Sequence, residues 1–142
     1  MKLTTLMLAD HASVRENLLF VTGGGVNRVT ASGFPIPFTA FLAMTVTFDN
    51  GEGEGRHEFQ LDFRRRGART STGGGSGGFT VTPPDDRDAS VPMHSSLAAD
   101  LRPFQIPGPG TYVVTVTVDG RRMGRIPVLA RLSSAEPGEG SG

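Results

Sequence analysis

The chain has 142 residues, one domain's worth of protein, and its 14 basic and 14 acidic side chains balance to a formal charge of zero. It contains no cysteine, which excludes thiol catalysis, disulfide bridges and cysteine-bound zinc. Nucleic-acid binders draw their affinity from a basic excess, so the balanced charge sets the expectation of no nucleic-acid partner.

Lys2 is the only lysine, and the other basic residues are arginines, a usage that suggests a GC-rich bacterial genome. The apolar run near the N-terminus is broken by Thr4 and Thr5 and followed by Asp10-His11, so it is too short for a secretory segment. No stretch approaches the roughly 18 apolar residues of a membrane-spanning helix. A cytoplasmic location with no membrane partner is expected.

The predicted elements are short, and polar and apolar side chains alternate along them with no convincing helical stripe. A first strand covers residues 2–9 and a turn covers 10–16. A second strand at 18–21 runs into Gly23-Gly24-Gly25 and resumes at 26–30, since glycines inside a strand mark a bulge or bend. Pro35 and Pro37 make residues 33–38 a poor strand or helix. Residues 41–48 place Leu42, Met44, Val46 and Phe48 on one face, and a turn-rich link from Asp49 leads to a strand at 56–66. There His57, Phe59, Leu61 and Phe63 alternate with Glu58, Gln60, Asp62 and Arg64, giving one core face and one wet face.

Residues 67–78 read as a flexible glycine-rich loop, and a short strand at 79–82 is stopped by Pro83 and Pro84. After an acidic turn holding Asp85, Asp86 and Asp88, the run 95–106 carries Leu97, Ala99 and Leu101 and includes good helix formers at 97–102. The strongest hairpin comes last. Asp119-Gly120 joins a strand with Tyr112, Val114, Val116 and Val118 inward to one with Ile126, Val128, Ala130 and Leu132 inward. From Ser133 the tail has nothing to bury and is expected to be disordered.

These signals describe one domain at residues 1–132 and a tail at 133–142. The expected fold is all-β, an antiparallel two-sheet sandwich of about seven to nine strands. The Gly-x-Tyr alternation at 110–118 resembles the penultimate strand of immunoglobulin-like domains, so that type of sandwich is favoured over a barrel. The opening segment Leu8-Ala9-Asp10-His11-Ala12-Ser13-Val14-Arg15-Glu16 also carries a family likeness, with Gly55-Arg56-His57-Glu58-Phe59 and Pro109-Gly110-Thr111-Tyr112. Together these segments resemble an uncharacterised family of small bacterial proteins. The resemblance implies a β-rich domain and no activity.

Asp10-His11, with Glu16 nearby, has the chemistry of a metal pair or an acid–base couple, but neighbours on a strand point to opposite faces. His57 lies in phase with Phe59 and Phe63, which aims it at the edge of the core. His94 follows Pro92 without any recognisable partner spacing. No His-x-His or His-Glu-x-x-His pattern is present, so no metal or cofactor is expected, with Asp10, His11 and His57 held as candidates. Gly23-Gly24-Gly25 lacks the Gly-Lys-Ser/Thr of a phosphate loop, and Ser76 sits in no nucleophile elbow. Arg64, Arg65, Arg66 and Arg69 form the one charge cluster. It is read either as a grip for a phosphate or an acidic partner or as a patch neutralised by Asp85, Asp86 and Asp88.

With no nucleophile, base and orienting group in view, the expected function is non-catalytic. The domain would bind a protein partner or associate with itself, and Arg64, Arg65, Arg66 and Arg69 are the partner-binding residues. The alternative is a metal-dependent hydrolase or small-ligand protein using Asp10, His11 and His57.

Overall fold

The computed structural model describes residues 1–49, 53–83 and 91–133. The acidic turn at Asp85, Asp86 and Asp88 and the tail from Ser134 lie outside these residues. Among the described residues there are strands and no helix, so none that is long and apolar enough to cross a membrane. The strands are β1 (Lys2–Arg15), β2 (Leu18–Gly24), β3 (Arg28–Ala31), β4 (Ile36–Pro37), β5 (Phe41–Phe48), β6 (Gly55–Arg65), β7 (Gly73–Val81), β8 (Met93–Asp100), β9 (Gln105–Ile106), β10 (Gly110–Val118) and β11 (Arg121–Leu132).

They form three sheets: β2-β1-β5-β8, β3-β11-β10-β6-β7, and the small pair β4-β9. The all-β expectation holds, but among the described residues the strand count rises to eleven and the sheets to three. Nor is every pair antiparallel, because β3 runs parallel to β11.

Three local readings change. The turn at 10–16 shrinks to Glu16-Asn17, whose φ angles of 53° and 61° suit a two-residue hairpin turn, and β1 runs on to Arg15. The glycine-rich stretch is not wholly a loop, since Gly73–Val81 pairs along β6 from Phe63↔Gly73 to Gly55↔Val81. The helix formers at 97–102 lie mostly in β8, which pairs with β5 from Phe48↔Met93 to Phe41↔Asp100 and packs Leu97 against the core. Tertiary pairing overrides their propensity.

One apolar core joins the two larger sheets. The four-stranded sheet contributes Leu8, Leu42, Met44, Val46 and Phe48, and the five-stranded sheet Leu61, Phe63, Tyr112, Val114, Val116 and Val118. Phe63 is its aromatic centre, with Tyr112 stacked at 5.1 Å, Phe38 at 5.2 Å and Phe104 at 5.9 Å between ring centroids. Leu132, at the end of β11, is the exception to the inward row and is 55% exposed.

The β1–β2 hairpin bends back so that its tip reaches β8. Asn17 Nδ2 donates to the His94 carbonyl at 2.8 Å, and Ser96 N donates to Asn17 Oδ1 at 2.9 Å. The side-chain amide thus pairs with two backbone groups of β8 as a neighbouring strand would, and it covers that part of the edge. The Ser96 hydroxyl adds a bond to the Asn17 carbonyl at 3.0 Å. Asn17→Gly keeps the positive φ and removes only the side-chain pair. It should lower unfolding free energy by about 1–2 kcal/mol, measured by urea titration, whereas an unchanged midpoint would mean the clamp adds nothing.

Candidate functional site

The outer face of the five-stranded sheet carries the densest set of charged side chains. Tyr112, Val114, Val116 and Val118 of β10 point into the core, so Val113, Thr115 and Thr117 point outward. Register then sets rows across three strands. Val113 lies between Arg64 of β6 and Pro127 of β11, and Thr115 lies between Asp62 and Arg125.

A bulge shifts the register between Val116 and Thr117, so that Arg122 stands opposite Thr117. Arg122 and Arg125, three residues apart, therefore share a face that strict alternation would have denied them. These groups, with Arg66 and Gly67 from the turn after β6, line an open concavity of about 790 Å3.

Four arginines surround this hollow against one carboxylate. Arg64 grips Asp62 with two bonds, Nε to Oδ2 at 2.6 Å and Nη2 to Oδ1 at 2.9 Å. Its Nη1 also donates to the Arg69 carbonyl at 3.1 Å, which ties down the turn. The Arg64 hydrogen bond is the main reason the Asp62 carboxyl is held below its ordinary pKa. Arg66, Arg122 and Arg125 make no side-chain hydrogen bond or ion pair among the described residues.

The expected arginine cluster is therefore divided. Arg64 and Arg66 face the concavity, while Arg65, one residue out of phase, lies 5.3 Å over the Tyr112 ring and donates to its hydroxyl at 3.1 Å. Arg69 is exposed beyond the turn and is absent from the lining. Arg122 and Arg125 were missed. The signal that finds them is cross-strand register, not adjacency in the chain.

The histidines lie apart. His57 is held between the rings of Phe48 at 4.8 Å and Phe79 at 5.2 Å. Its Nδ1 lies 2.6 Å from Asp119 Oδ2 and its Nε2 lies 2.8 Å from the Gly53 carbonyl. Both ring nitrogens face acceptors, an arrangement only the imidazolium satisfies fully. Burial is the largest single influence on this ring and lowers its pKa, but the bonds to Asp119 and Gly53 and the Asp119 charge together raise it above 6.5.

Asp119, in the left-handed turn, also accepts from Glu58 N at 2.9 Å, and that bond with the one to His57 holds its pKa below 3.8. His11 sits on the other large sheet, its ring 4.6 Å from that of Phe41. The Asp10 side chain lies against Gly23, whose hypothetical Cβ would come within 2.6 Å of its Oδ2. Asp10, His11 and His57 thus have separate surroundings. Among the described residues no group of three or more His, Cys, Asp or Glu side chains could hold a metal ion.

The class so defined is an all-β domain with an open arginine-lined hollow on one sheet face. The chain belongs to the family of unknown function DUF6941, whose model matches residues 4–131. No curated protein matches it. Among solved structures it is similar to Pseudomonas fluorescens alkylpurine DNA glycosylase AlkC bound to DNA containing an abasic site analog. Identity is 14% and the TM-score 0.40, and the match covers 89% of this chain and 30% of that one. The chain therefore spans less than a third of that protein's length.

The expectation that nucleic acid is excluded as a partner is withdrawn. The zero net charge behind that expectation conceals four arginines gathered at one hollow.

The His57–Asp119 pair makes stability depend on pH. His57, raised in the fold, contributes fully below its unfolded value of 6.5, and the contribution is lost as pH climbs through the folded value. Asp119, lowered in the fold, contributes above 3.8 and loses that contribution as pH falls through its folded value. Thermal midpoints should therefore hold up between these limits and decline above pH 6.5. In His57→Gln the decline on the alkaline side should disappear, and a midpoint profile identical to that of the parent would contradict the assignment.

Proposed function

We propose that the chain is a non-catalytic binding module that receives an acidic partner protein on the outer face of the five-stranded sheet. The observation that carries this reading is the convergence of Arg66, Arg122 and Arg125 with Arg64 around one hollow, three of them without a side-chain partner among the described residues. Guanidinium forks match carboxylates two bonds at a time, and the pair Val113 and Pro127 supplies apolar surface between them. The lining includes no aromatic ring on which a nucleobase could stack, which favours a peptide over a single strand of nucleic acid.

A surface role also suits the interior. Among the described residues every buried side-chain nitrogen or oxygen already has a hydrogen-bond partner, leaving none aimed at a missing ligand. The metal-dependent alternative would need Asp10, His11 and His57 to converge, and their contacts are separate.

We read the two larger sheets as an immunoglobulin-like sandwich. Near the start of β10, the Tyr112 hydroxyl turns back to donate to the Gly108 carbonyl at 2.8 Å, as a tyrosine corner does in such domains. The cysteine-free, arginine-rich composition supports a bacterial, cytoplasmic setting.

A fluorescein-labelled peptide alternating Glu and Leu, followed by anisotropy at low salt, tests the reading. Charge reversal at either Arg122→Glu or Arg125→Glu should weaken binding about tenfold, the loss of one charge-assisted hydrogen bond. Arg69→Glu, outside the hollow, should change it little. Equal affinity in all three variants would remove the hollow as the site. Tighter binding of a duplex oligonucleotide than of the peptide would replace a protein partner with nucleic acid.

A further inference from the structure

Every open sheet exposes unpaired backbone groups at its edges, and proteins guard such edges because they pair readily with another chain. On the four-stranded sheet, β8 is covered at His94 and Ser96 by Asn17, and β2 holds Gly23 in a left-handed conformation at φ +63°. On the five-stranded sheet, β3 is only four residues long and carries Arg28. Among the described residues of the two larger sheets the remaining edge is β7, which has none of these devices. It is nine residues long, GGGSGGFTV, with no charge and no proline.

Its five glycines do not use the conformation that glycine alone tolerates, since none has a positive φ. The strand is therefore regular and nearly bare. Apart from Ser71 Oγ on the Gly73 carbonyl, no hydrogen bond of the described residues reaches the side of β7 away from β6.

Packing explains some of these glycines. A Cβ at Gly77 would come within 2.8 Å of the Phe59 ring, and the Phe104 ring lies over Gly73 and Gly75. Gly74 and Gly78 are on the outer face, where Arg56 lies directly above Gly78. Arg56 also bonds Glu58, the residue paired with Gly78.

We propose that β7 is a self-pairing edge, through which two copies of this chain join their five-stranded sheets antiparallel across a two-fold axis at Ser76. That register sets Gly75 against Gly77 and Gly74 against Gly78 of the second copy, so no side chain obstructs the approach. Charge complementarity favours a second copy over an unrelated strand. Gly74 is paired with Asp62 on its other side. Each Arg56 would therefore stand about 10 Å, two strand spacings, from the Asp62 of the other copy, a separation over which attraction is felt at low ionic strength. Glu58 of the same copy and Asp62 of the other, the latter already bonded to its own Arg64, would then flank each Arg56 across the join. This inference is independent of the arginine hollow on the same sheet.

Ser76 is exposed, and the chain is free of cysteine. Ser76→Cys therefore reports the axis directly, because facing residues of an antiparallel pair lie within disulfide range. Under a copper–phenanthroline oxidant the full chain carrying Ser76→Cys should convert mainly to a covalent dimer. Gly74→Cys, which would face Gly78, should convert several-fold less.

Light scattering after size exclusion should show a concentration-dependent dimer of the unaltered chain. Ser76→Lys, with an unchanged circular-dichroism spectrum, should raise its dissociation constant at least about tenfold. A monomer at all concentrations up to about millimolar would overturn the proposal, as that is the weakest affinity worth the name. So would a dimer that Ser76→Lys leaves intact, or one in which the two cysteine variants cross-link equally.

Discussion

The structure depends on the register of β10. This strand lies between β6 and β11, and Tyr112, Val114, Val116 and Val118 are completely buried against the opposite sheet. A slip by one residue would turn that row to water and drive Val113, Thr115 and Thr117 into the core. Asp119 secures the register from one end, because its backbone forms the turn into β11 while its carboxylate reaches Glu58 and His57 on β6. Tyr112 secures it from the other through its bond to Gly108. The outward row that results is the floor of the arginine hollow, so core and candidate site are two faces of one constraint.

Much of this was legible in the residues. Alternation in 41–48, 56–66 and 110–118 identifies the buried faces, and Asp119-Gly120 identifies its own turn. What alternation alone conceals is any departure from period two. The bulge beside Thr117 brings Arg122 into line with Arg125, and nothing in the composition of 121–125 announces it. The glycines of β7 suggested a loop because propensity counts them against a strand, yet at Gly77 the Phe59 ring occupies the space a side chain would need, and the Phe104 ring packs over Gly73 and Gly75. The parallel partner β3 is four residues long, too little for a periodic pattern to register.

The arginines teach a related point about charge. Arg64, Arg65 and Arg66 look like a single patch in the chain, but a strand sends successive side chains to opposite sides. Arg65 becomes a lid over Tyr112, Arg64 a brace for the following turn, and Arg66 part of the hollow. A balanced total is equally uninformative about distribution. Asp100 illustrates this at the other large sheet, where the Arg102 side chain holds its carboxyl down to about 2 and removes it from any free acidic surface. Positive groups left unpaired on one face must then be matched elsewhere by the remaining acids.

The amide of Asn17 has an unequal influence on the two segments it joins. Its own contribution comes from a side chain, but what it grasps on β8 is the main chain, at the His94 carbonyl and the Ser96 amide. Positions 94 and 96 can therefore change without removing those two bonds, although the bonds from the His94 ring and the Ser96 hydroxyl to the Asn17 carbonyl would be lost. Position 17 has no such latitude. Asparagine alone combines a short amide carrying both donor and acceptor with ease in a left-handed turn, so one residue in the hairpin tip determines whether the edge of β8 is closed at His94 and Ser96.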